Sequence, residues 1–254
     1  MYSTTGFSRE QILNLCVLLK DTGEFTAKPT GRRPALGLYR AVVLTLSFLR
    51  RARVQQELAE NFGVSQSTVS RVITRLTPVL GAVLEDWVPV VEELDPDRPL
   101  ILDGTLVPCW SWDQHPQLFS GKHRTTGVNL QVLCDLSGSL VWVSDPVAGR
   151  THDVAAVRES GLLEHLHPSR VLGDKGYIGL GMLTPIRKPA HRELVKSEKE
   201  YNRSINQIRY VVERTIANLK TWRVLHTDYR RPLNTFPDTI TAVIALEFYR
   251  NSFE

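Results

Sequence analysis

The sequence predicts a mixed α/β protein in two parts, an all-helical N-terminal domain over residues 1–95 and a sheet-containing domain over residues 96–254. Three observations predict it. Apolar residues recur at helical spacing up to about residue 84; Pro89, Pro96 and Pro99 then punctuate an acidic stretch; beyond them, apolar runs such as Leu100-Ile101-Leu102 and Val171-Leu172 read as buried strands set between helical segments. A chain of 254 residues can bury a core in each part.

Composition excludes several classes. With 42% hydrophobic and 23% charged residues the chain is ordinary for a globular protein, not for a disordered or membrane one. The first residues, Met1 to Gly6, lack a basic head ahead of an apolar core, and apolar runs such as 41–49 are too short to span a bilayer, so a cytoplasmic, nucleoid-associated location is expected. Cys16, Cys109 and Cys134 form no paired framework, and with His115 and His123 they show no zinc-type spacing.

Charge is segregated. Residues 28–75 hold nine Lys/Arg against two acids, residues 85–97 hold six acids and no base, and residues 187–231 hold twelve Lys/Arg against five acids. Two basic regions suit a polyanionic partner, because cations that neutralise phosphates release counterions.

In chain order, Ile12, Leu15 and Leu19 behind Ser8 predict a capped first helix over 7–19; Pro29, Gly31 and Pro34 mark a loop, and residues 36–50 form a second helix. Residues 55–74 resemble the helix-turn-helix of bacterial DNA-binding proteins. Leu58, Phe62, Val64, Val69 and Val72 supply its small core, Ala59 permits close approach, Gly63 takes the turn and Ser65 caps the second helix. Gln66, Ser67, Thr68, Ser70 and Arg71 then stand at the exposed start of that helix, where such motifs meet the major groove. Residues 76–84 continue as helix.

The second domain opens with Leu100-Ile101-Leu102-Asp103-Gly104, a strand that delivers one acid. A polar, proline-containing excursion follows with Trp110 and Trp112, either packing or base-stacking groups, and Asp113, read as a turn residue. Residues 127–135 and 140–147 read as a hairpin around Leu136-Ser137-Gly138-Ser139, with Asp135 in the turn. Thr151-His152-Asp153 caps a helix through 166, in which Asp153 is either an early helix residue favoured by the dipole or a support to nearby site residues. Val171-Leu172 then leads to Asp174, and residues 205–225 form a helix with an apolar stripe of Ile205, Ile208, Val212, Ile216 and Leu219 that carries Glu213 at its border. Residues 239–248 close the chain as a helix. Strand, hairpin, helix, strand and acid-bearing helix is the element order of the ribonuclease-H-like fold, whose first and fourth strands lie parallel and adjacent.

Three carboxylates on separate elements, Asp103, Asp174 and Glu213, are the minimum equipment for a pair of hard divalent cations. Taken alone, each has a bland reading: strand-end acid, turn residue, and ion pair with Arg209 one turn back.

Together they resemble an insertion-sequence transposase with a DDE triad, family-five-like, in the group where a helix-turn-helix precedes the catalytic domain. The resemblance covers about residues 55–225 and rests on Asp103, on Gly149-Arg150-Thr151-His152-Asp153, on Asp174-Lys175-Gly176-Tyr177, and on a final helix with a Tyr, Arg, Glu and Lys signature. Arg209, Glu213 and Lys220 fill its last three places, and Asn206 stands where the tyrosine belongs. The resemblance implies that Asp103, Asp174 and Glu213 bind two Mg²⁺ or Mn²⁺ ions. It implies further that Arg209, Lys220, Lys122, His123, Arg124 and Lys175 contact DNA strands near the scissile bond, and that the protein works as a homo-oligomer on duplex DNA bearing the element's terminal inverted repeats and the target site. Two other functions fit the same motifs: a DNA-binding regulator that keeps only the helix-turn-helix, and a host nuclease that cuts without rejoining.

Overall fold

The computed structural model describes residues 2–23, 34–110 and 114–253. The loop expected through Pro29 and Gly31 and the readings of Trp112 and Asp113 lie outside the described residues. Helices are α1 (Tyr2–Thr5), α2 (Arg9–Asp21), α3 (Leu38–Arg51), α4 (Gln55–Phe62), α5 (Gln66–Val83), α6 (Asp153–Glu159), α7 (Leu162–His165), α8 (Lys196–Leu219) and α9 (Phe236–Asn251). Strands are β1 (Leu100–Pro108), β2 (Phe119–Ser120), β3 (Thr125–Asp135), β4 (Leu140–Val143), β5 (Val147–Ala148) and β6 (Val171–Leu172). The mixed α/β class and its order, a helical region with a helix-turn-helix ahead of a ribonuclease-H-like sheet, are as the sequence predicts. No helix among the described residues is long and apolar enough to cross a membrane.

Contacts divide the chain into two compact units, residues 1–88 with 220–254, and residues 89–219. The sequence reading instead kept everything from 96 to 254 in one domain. The difference comes from α9, which is apolar nearly all round and so needs helical neighbours. It packs directly on α5, where a Cβ on Gly81 would stand at an ordinary contact distance, 3.5 Å, from the Ala242 backbone nitrogen.

In the first unit, Ser8 caps α2 through a reciprocal capping box with Gln11. Gly63 ends α4 with φ +64° and Ser65 caps α5 by accepting from the Thr68 N–H, as the helix-turn-helix reading requires. Leu58, Ala59 and Val69 are buried between the two helices, whereas Phe62, Val64 and Val72 are only half-buried. Trp222 is fully buried; its Nε1 donates to Glu247 Oε2 at 2.7 Å, and its ring lies 6.0 Å from that of Phe7.

In the second unit β3 pairs antiparallel with β1 along its whole length and with β4 in the expected hairpin, while β6 pairs parallel with β1. Asp135 organises the hairpin turn, where the N–H groups of Ser137, Gly138 and Ser139 all donate to its carboxylate. Burial opposes its ionisation, but the Ser137 hydroxyl, the Ser139 and Ser137 N–H groups and the Arg98 charge prevail and hold its pKa below the usual value. One sheet face packs Leu100, Leu102 and Leu133 against Val157, Leu162 and Tyr177; the other packs Ile101, Cys134 and Leu172 against Ile205 and Val212 of α8. Two helix expectations need correction. The helix after Asp153 breaks at Gly161, with φ +68°, into α6 and α7, and His152 makes no side-chain cap. The buried stripe of α8 is Ile205, Val212, Thr215 and Leu219, which leaves Ile208 41% exposed.

Truncating Trp222 to alanine removes its aromatic contacts and leaves Glu247 without that donor. We expect destabilisation by about 3–5 kcal/mol, read as a lower midpoint in urea denaturation.

Candidate active site

The parallel register pairs Ile101 with Leu172, so Asp103 and Asp174 stand two residues further along neighbouring chain segments. Asp103 is a half-buried residue in the middle of β1. Its own carboxylate accepts from the Gly104 N–H at 3.0 Å, and its Oδ2 lies 3.6 Å from Arg209 Nη2 on α8. Asp174 follows β6 and caps the short turn Lys175–Tyr177, accepting from the Gly176 N–H at 2.6 Å.

Burial pushes the Asp103 carboxyl up from 3.8 to about 6; Arg209 opposes the rise, the negative charge of Asp174 adds to it, and the Gly104 N–H and Lys122 oppose it more weakly. Two carboxylates brought together in a half-buried place are a donor set suited to a hard cation.

Asp153 belongs to the same place, which favours the supporting role over that of a mere early helix residue. An added Cβ on Gly104 would stand 2.8 Å from Asp153 Oδ1, and one on Gly176 would stand 3.1 Å from Asp153 Oδ2 and 2.7 Å from Asp174 Oδ1. Those two glycines are what allow the carboxylates so near the backbone. Asn129 Nδ2 donates to Asp153 Oδ1 at 3.2 Å, and Lys122 Nζ donates to Oδ2 at 2.8 Å. Beneath them the fully buried Gln131 accepts from Tyr177 Oη at 2.7 Å. Burial works against the Lys122 ammonium, but the bond to Asp153 and the charges of Asp153, Asp174 and Asp103 outweigh it and raise its pKa. The Tyr177 hydroxyl is raised as well, by burial first and then by the same three acids.

Asn129, Gln131, Tyr177 and Gly104 are site residues that sequence reasoning missed. A signal existed: Asn129 and Gln131 alternate on one face of an otherwise apolar strand, and glycine directly follows the strand's acid.

The remaining expected residues lie as follows. Glu213 is exposed on α8, one turn beyond Arg209, and it is Arg209 that reaches Asp103. The local ion pair between Arg209 and Glu213 is therefore replaced by one across the unit. Among the described residues no three His, Cys, Asp or Glu side chains are grouped closely enough to hold a metal ion. Lys122, His123 and Arg124 form the exposed turn between β2 and β3, and this turn borders a cavity of about 160 Å³ that also touches Asn129 and Asp153. Lys175 is exposed beside Asp174. Lys220 begins the returning part of the first unit, where burial lowers its pKa. On α5, Gln66, Ser67 and Arg71 are exposed and Thr68 and Ser70 half-buried; Arg71 Nε donates to the Ser67 carbonyl at 3.0 Å and Gln66 Nε2 to Gln55 at 2.8 Å.

A family model described as DDE superfamily endonuclease matches residues 102–247, the span that holds all of these acids. The chain belongs to that family. A second model, the helix-turn-helix of DDE superfamily endonuclease, matches residues 34–86 of this endonuclease. Its relatives include the "Probable transposase for insertion sequence element IS702" of Microchaete diplosiphon, 29% identical over 89% of this chain and 85% of that protein. The "Putative transposase for insertion sequence element IS112" of Streptomyces albus G is 31% identical over 87% and 83%. The "Putative nuclease HARBI1" of Mus musculus is 25% identical over 86% and 67%. No solved structure matches.

The Asp103 shift makes a sign-definite prediction for the endonuclease without divalent ions. Its folded pKa of about 6 lies above the 3.8 of a free carboxyl, so the native state holds the extra proton between those values and the stabilisation it brings is lost as pH rises through 6. Asp103→Asn, with no charge to bury, should unfold later than wild type at pH 7 by about 3 kcal/mol and converge with it toward pH 4. Equal stability at both pH values would show that the carboxylate is not desolvated.

Proposed function

We propose that this endonuclease is a DNA transposase that cleaves the ends of an insertion sequence and joins them to target DNA by phosphoryl transfer with two Mg²⁺ or Mn²⁺ ions. The observation that carries the reading is the arrival of Asp103 and Asp174, from parallel-paired chain segments, in one half-buried place where the charge of Asp174 disfavours that of Asp103. Such a pair fits a divalent cation by its chemistry: hard oxygen donors, close like charges and partial exclusion of water. Asp103 and Asp174 would hold the ions; Glu213, which is not grouped with them, is assigned as the remaining ligand only from its place in the signature. When bound, the ions activate water or a DNA 3′-hydroxyl and stabilise the leaving oxygen.

The chain's own residues do the rest. Asp153, fixed by Asn129 and Lys122, keeps the acid pair from drifting. Lys122, His123, Arg124, Lys175, Arg209 and Lys220 hold strand phosphates, a role that positions DNA without reading it. Gln66, Ser67, Thr68, Ser70 and Arg71 read the terminal inverted repeats in the major groove. Handling two ends together calls for a homo-oligomer on the duplex. The likeness to the putative nuclease favours a second reading, cleavage without joining. A regulator without catalysis is disfavoured, because acids stand at all three places of the triad.

Labelled DNA carrying the flanking element ends tests the choice, with Mg²⁺ or with EDTA. We expect metal-dependent nicking followed by joined products. Asp103→Ala and Glu213→Ala each lower the nicking rate on the order of a thousandfold, the loss of several kcal/mol of charge stabilisation, while duplex binding persists. Cleavage without joining supports the nuclease reading; binding without cleavage supports the regulator.

A further inference from the structure

Upstream of Arg209, α8 borders a groove of about 750 Å³. Its lining has a definite chemistry: beside Leu194 stand the cations Lys199 and Arg203, three amides that include Asn202, and the ring of Tyr210, with no acid among them. Residues 199, 203, 206 and 210 follow one another at helical three- and four-residue steps, so they form one stripe about 16 Å long.

The cations of this stripe are not used internally. Nearby acids have other partners: Glu198 takes Arg192, Glu200 takes Lys196 and Glu193 takes Lys188. Among the described residues neither Lys199 nor Arg203 has an acid partner. Asn202, by contrast, is committed to the framework: its Oδ1 accepts from the Ile186 N–H at 2.6 Å and its Nδ2 donates to the Ile186 carbonyl at 3.0 Å, which ties the preceding loop to the helix and fixes the groove wall. Tyr210 is 68% exposed, with neither a ring neighbour nor a hydrogen-bond partner among the described residues. A large exposed ring flanked by free cations and amides matches what an unpaired nucleotide offers, a base face to stack on and a phosphate to neutralise. A duplex hides its base faces in its own stack and leaves such a ring little to do.

The stripe also leads somewhere. Tyr210 is followed back along the helix by Arg209, whose guanidinium stands 3.6 Å from Asp103. We infer that this groove binds a short unpaired stretch of DNA, stacked on Tyr210 with its phosphates on Lys199 and Arg203, and passes it along α8 toward the acids. The inference deepens the DNA-cleaving reading and rests on it for the identity of the polymer.

The test is fluorescence anisotropy of the full chain with a fluorescein-labelled oligonucleotide of mixed sequence, unpaired or annealed into a duplex, in EDTA so that no cleavage intervenes. Tyr210→Ala, and Lys199→Ala with Arg203→Ala, are expected to weaken binding of the unpaired strand about tenfold while duplex affinity holds. Tyr210→Phe keeps the ring and should keep the affinity. Arg71→Ala on α5 should show the opposite pattern, losing duplex binding alone. Because the substituted groove residues are surface groups, circular dichroism should show the fold retained. Unpaired-strand binding that is unchanged in the groove variants, that falls equally with duplex binding, or that disappears with Arg71→Ala overturns the inference. The expected pattern in a protein that never nicks DNA with Mg²⁺ supports the groove and overturns the catalytic reading, so the two failures are told apart.

Discussion

The parallel pairing of β1 with β6 is the constraint on which this molecule's chemistry depends. Positions 103 and 174 are remote in sequence, and what brings them level is the match of Leu100 with Val171 and Ile101 with Leu172. That match is held by hydrophobic burial on both faces, with Leu100, Leu102 and Val171 in one cluster and Ile101 and Leu172 against α8 in the other. A one-residue slip would turn every one of these side chains to the wrong face, so the register is strongly specified and the acids inherit its precision. The same burial that fixes the register desolvates Asp103, and a carboxylate is tolerated there because Arg209 and Lys122 supply opposite charge.

Around the acid pair the fold has removed side chains and added polar ones. Gly104 and Gly176 make room for the Asp153 carboxylate, and Asn129, Gln131 and Tyr177 give it and the strand a hydrogen-bonded bed. Partly buried polar networks of this sort are costly unless satisfied, and here the partners come from remote parts of the chain, Tyr177 on Gln131, and Asn129 and Lys122 on Asp153. The two amides of the bed come from β3, which pairs with the whole length of β1, and its tyrosine from the turn after β6, so the central sheet itself supports the site.

Much of this was legible in the residues. The helix-turn-helix could be read because its determinants are local: a glycine for a left-handed turn, a serine cap and apolar residues at fixed steps. Element order, hairpin and the aspartate after β6 could be read for the same reason, whereas Asp103, read as a strand-end acid, lies in the middle of β1, which runs on to Pro108. What could not be read was set by tertiary packing. The membership of α9 in the first unit depends on which apolar surface it meets, and the entry of Asp153 into the site depends on glycines on two other elements. Arg209 reaching Asp103, instead of pairing with Glu213 one turn away, depends on how α8 lies against the sheet. Helical periodicity named Ile208 as core, but the sheet accepts only part of that stripe and leaves Ile208 exposed.

The central claim is that Asp103 and Asp174 act together as one site for a divalent cation. Isothermal titration of Mn²⁺ into the purified chain, into Asp103→Asn and into Asp174→Asn measures this without relying on any DNA substrate. The account predicts saturable binding by the wild type that is lost in either variant. Binding of equal strength and stoichiometry in all three proteins would contradict it.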